Sequence, residues 1–175
     1  CDFFISMTAS FRIIYVFVAM EIGSRRILHT NVTEHPTAEW TTQQFREFLD
    51  HPYLFVIHDR DSIFSAQLDE TLKGFGVRSI RTPVRAPMAN AYCERLIGTI
   101  RRECLDYLIP FNERHLYRIV KDFVRYYNRG RPHSALGPGI PEPPQAKVPA
   151  GPHRHKLPQG YRVRSTPVLG GLHHE

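Results

Sequence analysis

The stretch LFVIHDRDSIF, residues 54–64, decides the fold class of this 175-residue chain. It opens with an uninterrupted apolar run over 54–57, which suits a short strand that is buried on both faces of a sheet. Asp59 follows that run almost directly, so it lies at the carboxyl end of the strand. Open α/β sheets bind their ligands at this end of their strands. The stretch therefore predicts an α/β fold with a candidate site beside Asp59.

Apolar patterns on both sides of this stretch predict the other elements. Upstream, segments rich in β-branched and aromatic residues predict an antiparallel meander of three strands, over 2–7, 11–21 and 25–32. A helix is expected after Thr37, which is a good N-cap. Downstream, apolar and turn patterns predict a helix over 65–75, a strand over 77–80, a helix over 90–107 and a last helix after Asn112. This order favours a mixed five-stranded sheet flanked by helices.

The composition of the chain changes near residue 136. Residues 136–175 hold 8 of the 14 prolines and 6 of the 11 glycines and show no convincing apolar period. We therefore expect the folded domain over residues 1–135 and a Pro/Gly-rich extended tail over 136–175. Because the first residue is Cys1 and not Met, we also expect the domain to be truncated at its N-terminus.

The overall composition limits the class of protein. Lys and Arg number 23 against 17 Asp and Glu, which gives a formal charge of +6. Three cysteines form no paired framework, so we expect a reducing, cytoplasmic compartment. No apolar run approaches the roughly 20 residues of a membrane helix, and no membrane partner is expected.

Three acids stand where chemistry is expected: Asp2 in the first strand, Asp59 after the buried strand, and Glu94 at the start of a helix. Carboxylates that converge repel one another, and a divalent cation removes that repulsion. All-oxygen ligands favour Mg²⁺ or Mn²⁺. Taken singly, each acid has an ordinary explanation, such as a turn residue for Asp59 or a favourable helix dipole for Glu94.

Three blocks of sequence resemble those of retroviral integrases and insertion-sequence transposases, the DDE superfamily. HDRDSIF (58–64) is similar to the block around the second acid, and APMANAYCE (86–94), with Arg101 seven positions on, to the block around the third. YNRGRPH (127–133) resembles the block that closes the catalytic core. The 34 residues between Asp59 and Glu94 fit this group. The chain departs from it at Asp61, where related sequences usually have Gly.

The resemblance implies a ribonuclease H-like fold over about residues 1–135. It implies two Mg²⁺ (or Mn²⁺) ions held by Asp2, Asp59 and Glu94, and DNA integration or transposition by strand cleavage and 3′-end joining. A nuclease that cuts without joining, and an inactive DNA-binding remnant of a mobile element, are the alternatives. The implied partners are DNA, as element ends and target, and further copies of the chain in a homo-oligomer, associated with the nucleoid when bound to DNA.

Basic residues near the acids are candidate contacts to DNA phosphates, with a solvated basic face as the ordinary alternative. They are Arg81, Arg85, Arg101, Arg102, Arg129 and Arg131. Gly98 leaves a gap on the helix between Glu94 and Arg101, which suggests a close approach of a ligand or backbone. Three further residues are expected to support the acids from behind: His58, Asp61 and Asn90. For His58, a general base and a packing residue are both open, and for Asp61 a supporting group and a turn residue.

Overall fold

The computed structural model describes residues 1–49, 53–82, 90–137, 139–143 and 165–174. Its main elements, in chain order, are β1 (Asp2–Met7), β2 (Ile13–Met20), β3 (Ile27–Thr33), α1 (Ala38–Phe48), β4 (Phe55–His58), α2 (Ala66–Gly74), β5 (Arg78–Arg81), α3 (Ala91–Glu103) and α4 (Glu113–Arg129). The order of strands and helices agrees with the prediction, and the α/β fold class is confirmed. Within the described ranges, no helix combines the length and the apolar character needed to cross a membrane.

The strands form a three-stranded and a two-stranded part. β1, β2 and β3 pair antiparallel in sequence order, with Phe4 opposite Val16, while β4 and β5 pair parallel. The main-chain nitrogen of Cys1 donates to the carbonyl of Ile57 at 2.9 Å, which connects the start of β1 with β4. The predicted five-stranded sheet is therefore present as two parts that meet where β1 begins.

The prediction that the strand over 54–57 is buried on both faces is wrong. Leu54 is 71% exposed and Phe55 46% exposed, whereas Val56 is 8% exposed and lies in a core with residues of α1 and α2. Among the described residues, that core also includes Phe17 and Ala19 of β2. An apolar run shows that a segment can be buried, but not how many of its faces another element covers.

The larger core lies between the meander and the helices α3 and α4. The buried apolar residues on this side of α3 are Cys93, Leu96 and Ile100, followed by Cys104 just after the helix, and those of α4 are Leu116, Ile119, Val120, Phe123 and Tyr127. Asn112 caps α4 as predicted, because its side chain accepts a hydrogen bond from the main chain of His115. Helix α3 ends at Glu103 and not near 107, since Cys104 leaves helical geometry at φ −139° and a 3₁₀ turn follows.

Side chains of the block over 127–133, at the end of α4, make hydrogen bonds to β3 and α3. The amide of Asn128 is buried and pairs with both main-chain groups of Ile27, accepting from its nitrogen at 2.9 Å and donating to its oxygen at 3.0 Å. The helix thereby supplies β3 with the hydrogen bonds of a neighbouring strand. Arg131 makes two hydrogen bonds to the carboxylate of Glu103, at 2.6 and 2.7 Å, and so joins the end of α4 to the end of α3.

Two described parts of the predicted tail pack on the domain. Glu142 accepts from Arg129 at 2.9 Å, and its main-chain nitrogen donates to the carbonyl of Asn128 at 2.8 Å. Two-residue strands β6 (Pro167–Val168) and β7 (His173–His174) pair with each other, and the ring of His173 stacks on that of Tyr126 at 4.2 Å. Residues 144–164 lie outside the described residues, so the boundary near residue 136 and the extended tail stay predictions.

Candidate active site

The three predicted acids come from three elements that meet at one side of the fold. Asp2 opens β1, Asp59 follows β4, and Glu94 lies in the first turn of α3. Burial, together with the negative charges of Asp59 and Glu94, raises the pKa of the Asp2 carboxyl from 3.8 to about 6. Burial is the largest cause of this shift, and the charges of Asp59 and Glu94 add to it, which places both acids within electrostatic range of Asp2.

Asn90 connects the first acid to the helix that carries the third. Its side-chain nitrogen donates to Asp2 Oδ2 at 2.8 Å, and the main-chain nitrogen of Phe3 donates to Asp2 Oδ1 at 2.7 Å. Asn90 stands at the N-cap position of α3 but makes no side-chain hydrogen bond to that helix. Its amide donates to the carboxylate of Asp2, and the supporting role of Asn90 stays a prediction.

Asp59 and Asp61 are held by consecutive turns. The main-chain nitrogen of Asp61 donates to Asp59 Oδ1 at 3.1 Å, and that of Ile63 donates to Asp61 Oδ1, also at 3.1 Å. These bonds are typical of aspartates that shape their own loop. Asp61 is exposed. The geometry therefore favours the turn interpretation of Asp61, which stands where a glycine is usual in related sequences.

His58 is fully buried behind Asp59. Its Nδ1 lies 2.6 Å from the carbonyl of Asp59 and its Nε2 lies 2.8 Å from the hydroxyl of Ser79, while its ring stacks on Phe64 at 4.5 Å. Burial lowers the pKa of the imidazole, against the hydrogen bond to Asp59. With both nitrogens engaged inside the protein, the arrangement favours packing and support over a general base. Ser79 was not anticipated, although it is the one neutral polar residue of a four-residue strand.

The basic residues near α3 fold back onto the protein. Arg101 donates to the carbonyl of Ile5 at 3.2 Å and lies over the ring of Phe4. Arg102 covers Gly98: a Cβ added there would lie 2.9 Å from Arg102 Nη1. The gap expected at Gly98 is thus filled by a side chain of the same helix.

The other candidate DNA contacts differ in how far they are already paired. Arg81 forms an ion pair with Asp69, Arg129 pairs with Glu142, and Arg131 is held by Glu103. Glu103 raises the pKa of Arg131, and the Arg131 side chain is 24% exposed, so it is the least available of the three. Arg85 lies outside the described residues.

As the side chains stand, the described part of the chain contains no group of three or more His, Cys, Asp or Glu side chains that could hold a metal ion. The hydrogen bonds from Asn90, Phe3 and Asp61 orient carboxylate oxygens of Asp2 and Asp59. Burial raises the pKa of the Cys93 thiol beside Glu94. The side chains of the three acids offer oxygen donors to a cation.

Part of this chain matches the model of a known protein family, and its fold is similar to that of a solved structure. Residues 75–141 match the family model described as the integrase core domain, a range that holds Glu94 and the block over 127–133. The catalytic core domain of BIV integrase has a similar structure, with a TM-score of 0.58 and 17% sequence identity over 80% of this chain and 88% of that one. No curated protein matches the sequence. The matched segment and the fold together support a DDE-type integrase or transposase catalytic domain, which confirms the resemblance predicted from the sequence blocks.

Proposed function

We propose that this chain catalyses metal-dependent polynucleotidyl transfer on DNA, by cleaving a strand and joining a 3′ end, as integration or transposition requires. One observation carries the proposal. The negative charges of Asp59 and Glu94 act together on the half-buried carboxyl of Asp2, in a chain with the fold of an integrase core. The match of residues 75–141 to the integrase core domain supports the same class of chemistry.

The donor chemistry of the acids fits a hard divalent cation. Burial is the main reason why the pKa of Asp2 is near 6, and the negative charges of Asp59 and Glu94 raise it further, so a cation would relieve part of the cost of ionising Asp2. Mg²⁺ and Mn²⁺ prefer oxygen ligands of this kind. Asp2, Asp59 and Glu94 would hold the ions, and we propose two of them.

Each side chain then has a definite task. Asp2, Asp59 and Glu94 would hold a pair of cations whose chemistry would be the activation of an attacking oxygen and the stabilisation of a leaving oxygen, so the protein would need no nucleophile of its own. Asn90 orients Asp2, and His58 holds the main chain of Asp59. Attack by water cuts a strand, and attack by a DNA 3′-hydroxyl joins two strands. Arg81, Arg101, Arg102 and Arg129 are proposed to contact phosphates, and assembly of several copies on two DNA ends is part of the proposal.

A strand-transfer assay with Mg²⁺ and a labelled DNA duplex that carries a free 3′-hydroxyl tests this function. We expect Asp59→Asn and Glu94→Gln to lose both cleavage and joining. Asp106→Asn and Glu70→Gln, which neutralise exposed acids elsewhere, are the matched controls and should stay active.

The products also separate the alternatives. Cut strands without joined product would assign a nuclease, and metal-independent DNA binding without any cleavage would assign an inactive remnant. Full activity in Asp59→Asn or Glu94→Gln would reject the three-acid mechanism.

A further inference from the structure

A basic cavity lies against α3, the helix that carries Glu94. It has a volume of about 360 Å³ and opens between α3, the turn from β2 to β3, and the segment 131–135. Three arginines line it, Arg25, Arg95 and Arg131, and its described lining contains no carboxylate. Arg131 is neutralised by Glu103, so Arg25 and Arg95 leave a local excess of positive charge.

Two buried nitrogens at this cavity have no hydrogen-bond partner within the described structure: Arg25 Nη1 and His133 Nε2. His133 is only 9% exposed. Buried polar atoms in native proteins are nearly always paired, and leaving a charged group unpaired is especially unfavourable. Both nitrogens belong to residues that line the same cavity, so one anion placed there could accept from Arg25 and, once the imidazole is protonated, from His133 as well.

The donors are held in place before any ligand arrives. The guanidinium of Arg25 lies 4.0 Å above the ring of Tyr92, and the residue has a positive φ of 63°, a conformation that is uncommon for arginine. The ring of His133 packs edge-on against Tyr127 at 4.6 Å. These contacts hold Arg25, from the turn between β2 and β3, and His133, from the segment 131–135, at the same space.

The chemistry of this lining selects a small oxyanion. Guanidinium groups match the oxygens of a phosphoryl group in geometry and charge, and their affinity is higher where water is partly excluded. The volume is at the lower end of ligand pockets, which suits a phosphoryl group and its immediate substituents. A cation or an apolar ligand would leave Arg25 Nη1 without an acceptor.

We propose that this cavity binds a phosphoryl oxyanion through Arg25, Arg95 and His133. Its source, we infer, is a backbone phosphate of the DNA on which the acids act, and this second step rests on the proposed function. Arg95 directly follows Glu94 on α3, so a phosphate held here would fix a strand relative to the helix that carries one of the acids.

Binding of inorganic phosphate and of sulfate, measured by calorimetry in EDTA, tests the anion site. We expect Arg25→Gln and Arg95→Gln each to lower the affinity by about tenfold or more. Arg118→Gln, which removes an exposed arginine from α4, should bind as the wild type does. Arg95 is exposed, so its variant is expected to fold even if Arg25→Gln does not. No binding by the wild type, or equal affinities in all three variants, would overturn the proposal.

Fluorescence anisotropy with a DNA oligonucleotide, also in EDTA, identifies the source of the phosphate. If DNA supplies the phosphate, Arg95→Gln weakens DNA binding and lowers the slope of log affinity against log salt concentration by about one. Added inorganic phosphate should then compete less well with DNA for the variant than for the wild type. Unchanged DNA affinity in variants that have lost phosphate binding would overturn the DNA step and assign a free-phosphate site. Neither measurement involves catalysis, so a failure of the strand-transfer assay leaves both readouts intact.

Discussion

The side chain of Asn90 donates a hydrogen bond to Asp2 Oδ2 at 2.8 Å, across 88 positions of the sequence. This single contact joins the first residue of strand β1 to the start of the helix that carries Glu94. It also uses an amide that would otherwise cap that helix. The position of the first acid relative to the third therefore depends on a residue that is not an acid itself.

Replacing Asn90 should weaken metal binding more than it weakens the fold. In Asn90→Ala the Asp2 carboxylate loses a donor that orients it, so we expect about a tenfold loss in Mg²⁺ affinity and in strand-transfer rate. The free energy of unfolding should fall by about 1 kcal/mol or less, because Asn90 makes no capping bond. Mg²⁺ titration monitored by thermal unfolding and denaturation by urea measure the two effects. If the free energy of unfolding falls by as much as the free energy of Mg²⁺ binding, Asn90 is only a structural residue.

Neutralising Asp2 should stabilise the protein when no metal is present. Since burial and the neighbouring acids raise the pKa of Asp2 from 3.8 to about 6, the folded state holds this proton more tightly than the unfolded state. The resulting stability is present below pH 4 and is lost as the pH rises through about 6. Asp2→Asn removes the charge, so in EDTA at pH 8 we expect a gain of up to about 2 kcal/mol after allowance for solvent screening.

Urea denaturation at pH 4 and pH 8, with and without Mg²⁺, checks this expectation. The gain of Asp2→Asn should vanish at pH 4, where the wild-type carboxyl is protonated in the folded state. Mg²⁺ should stabilise the wild type and leave the variant almost unchanged. Asp106→Asn gives the effect of the same substitution at an exposed site. A loss of stability at pH 8 in EDTA would show that Asp2 is not electrostatically strained.

His58 should prove to be a structural residue. In His58→Asn the stack on Phe64 and the bonds to Asp59 and Ser79 are weakened, so we expect the free energy of unfolding to fall by roughly 1–3 kcal/mol. At a temperature where the variant remains folded, the rate of strand transfer should vary with pH between 6 and 8 as it does in the wild type. A general base would behave differently: its removal would abolish the limb of the pH profile near its pKa.

The elements could be predicted from the sequence because apolar residues recur every three to four positions along an amphipathic helix, as they do in α3 and α4. The sequence did not predict that Leu54 and Phe55 are exposed, since an apolar run carries no information on which faces are covered. Asp2 was identified by resemblance and position alone, and its coupling to Asp59 and Glu94 is visible only in three dimensions. Buried nitrogens without a hydrogen-bond partner, such as His133 Nε2, cannot be predicted from the sequence, because burial and pairing depend on contacts between distant segments.

Asn128 should contribute far more to stability than an ordinary helix residue. Asn128→Ala leaves the main-chain nitrogen and oxygen of Ile27 without partners in a buried position, which should cost about 2–4 kcal/mol. Gln67→Ala removes an exposed side-chain amide from α2 and should change the free energy of unfolding little. Urea denaturation of both variants provides the measurement. Similar small losses in the two would contradict the strand-like role of Asn128.

The anion site should become stronger as His133 gains a proton. Burial and the charge of Arg131 lower the pKa of His133, while its hydrogen bond to the main chain of Tyr127 and the charge of Glu103 raise it, and Arg25 adds a further lowering effect. Near pH 7.5 the ring is therefore neutral. When Nδ1 carries the proton of the neutral ring, Nε2 is an acceptor; in the protonated ring Nε2 becomes a donor that an oxyanion can use.

Sulfate is the right probe for this effect, because it does not titrate between pH 5.5 and 7.5. We expect the wild type to bind sulfate several-fold more tightly at pH 5.5 than at pH 7.5, since the bound dianion raises the pKa of the imidazole. His133→Asn, whose amide does not titrate, should bind sulfate with nearly the same affinity at both values. If the variant shows the same pH dependence as the wild type, the proton is taken up elsewhere, and His133 is not a donor to the anion.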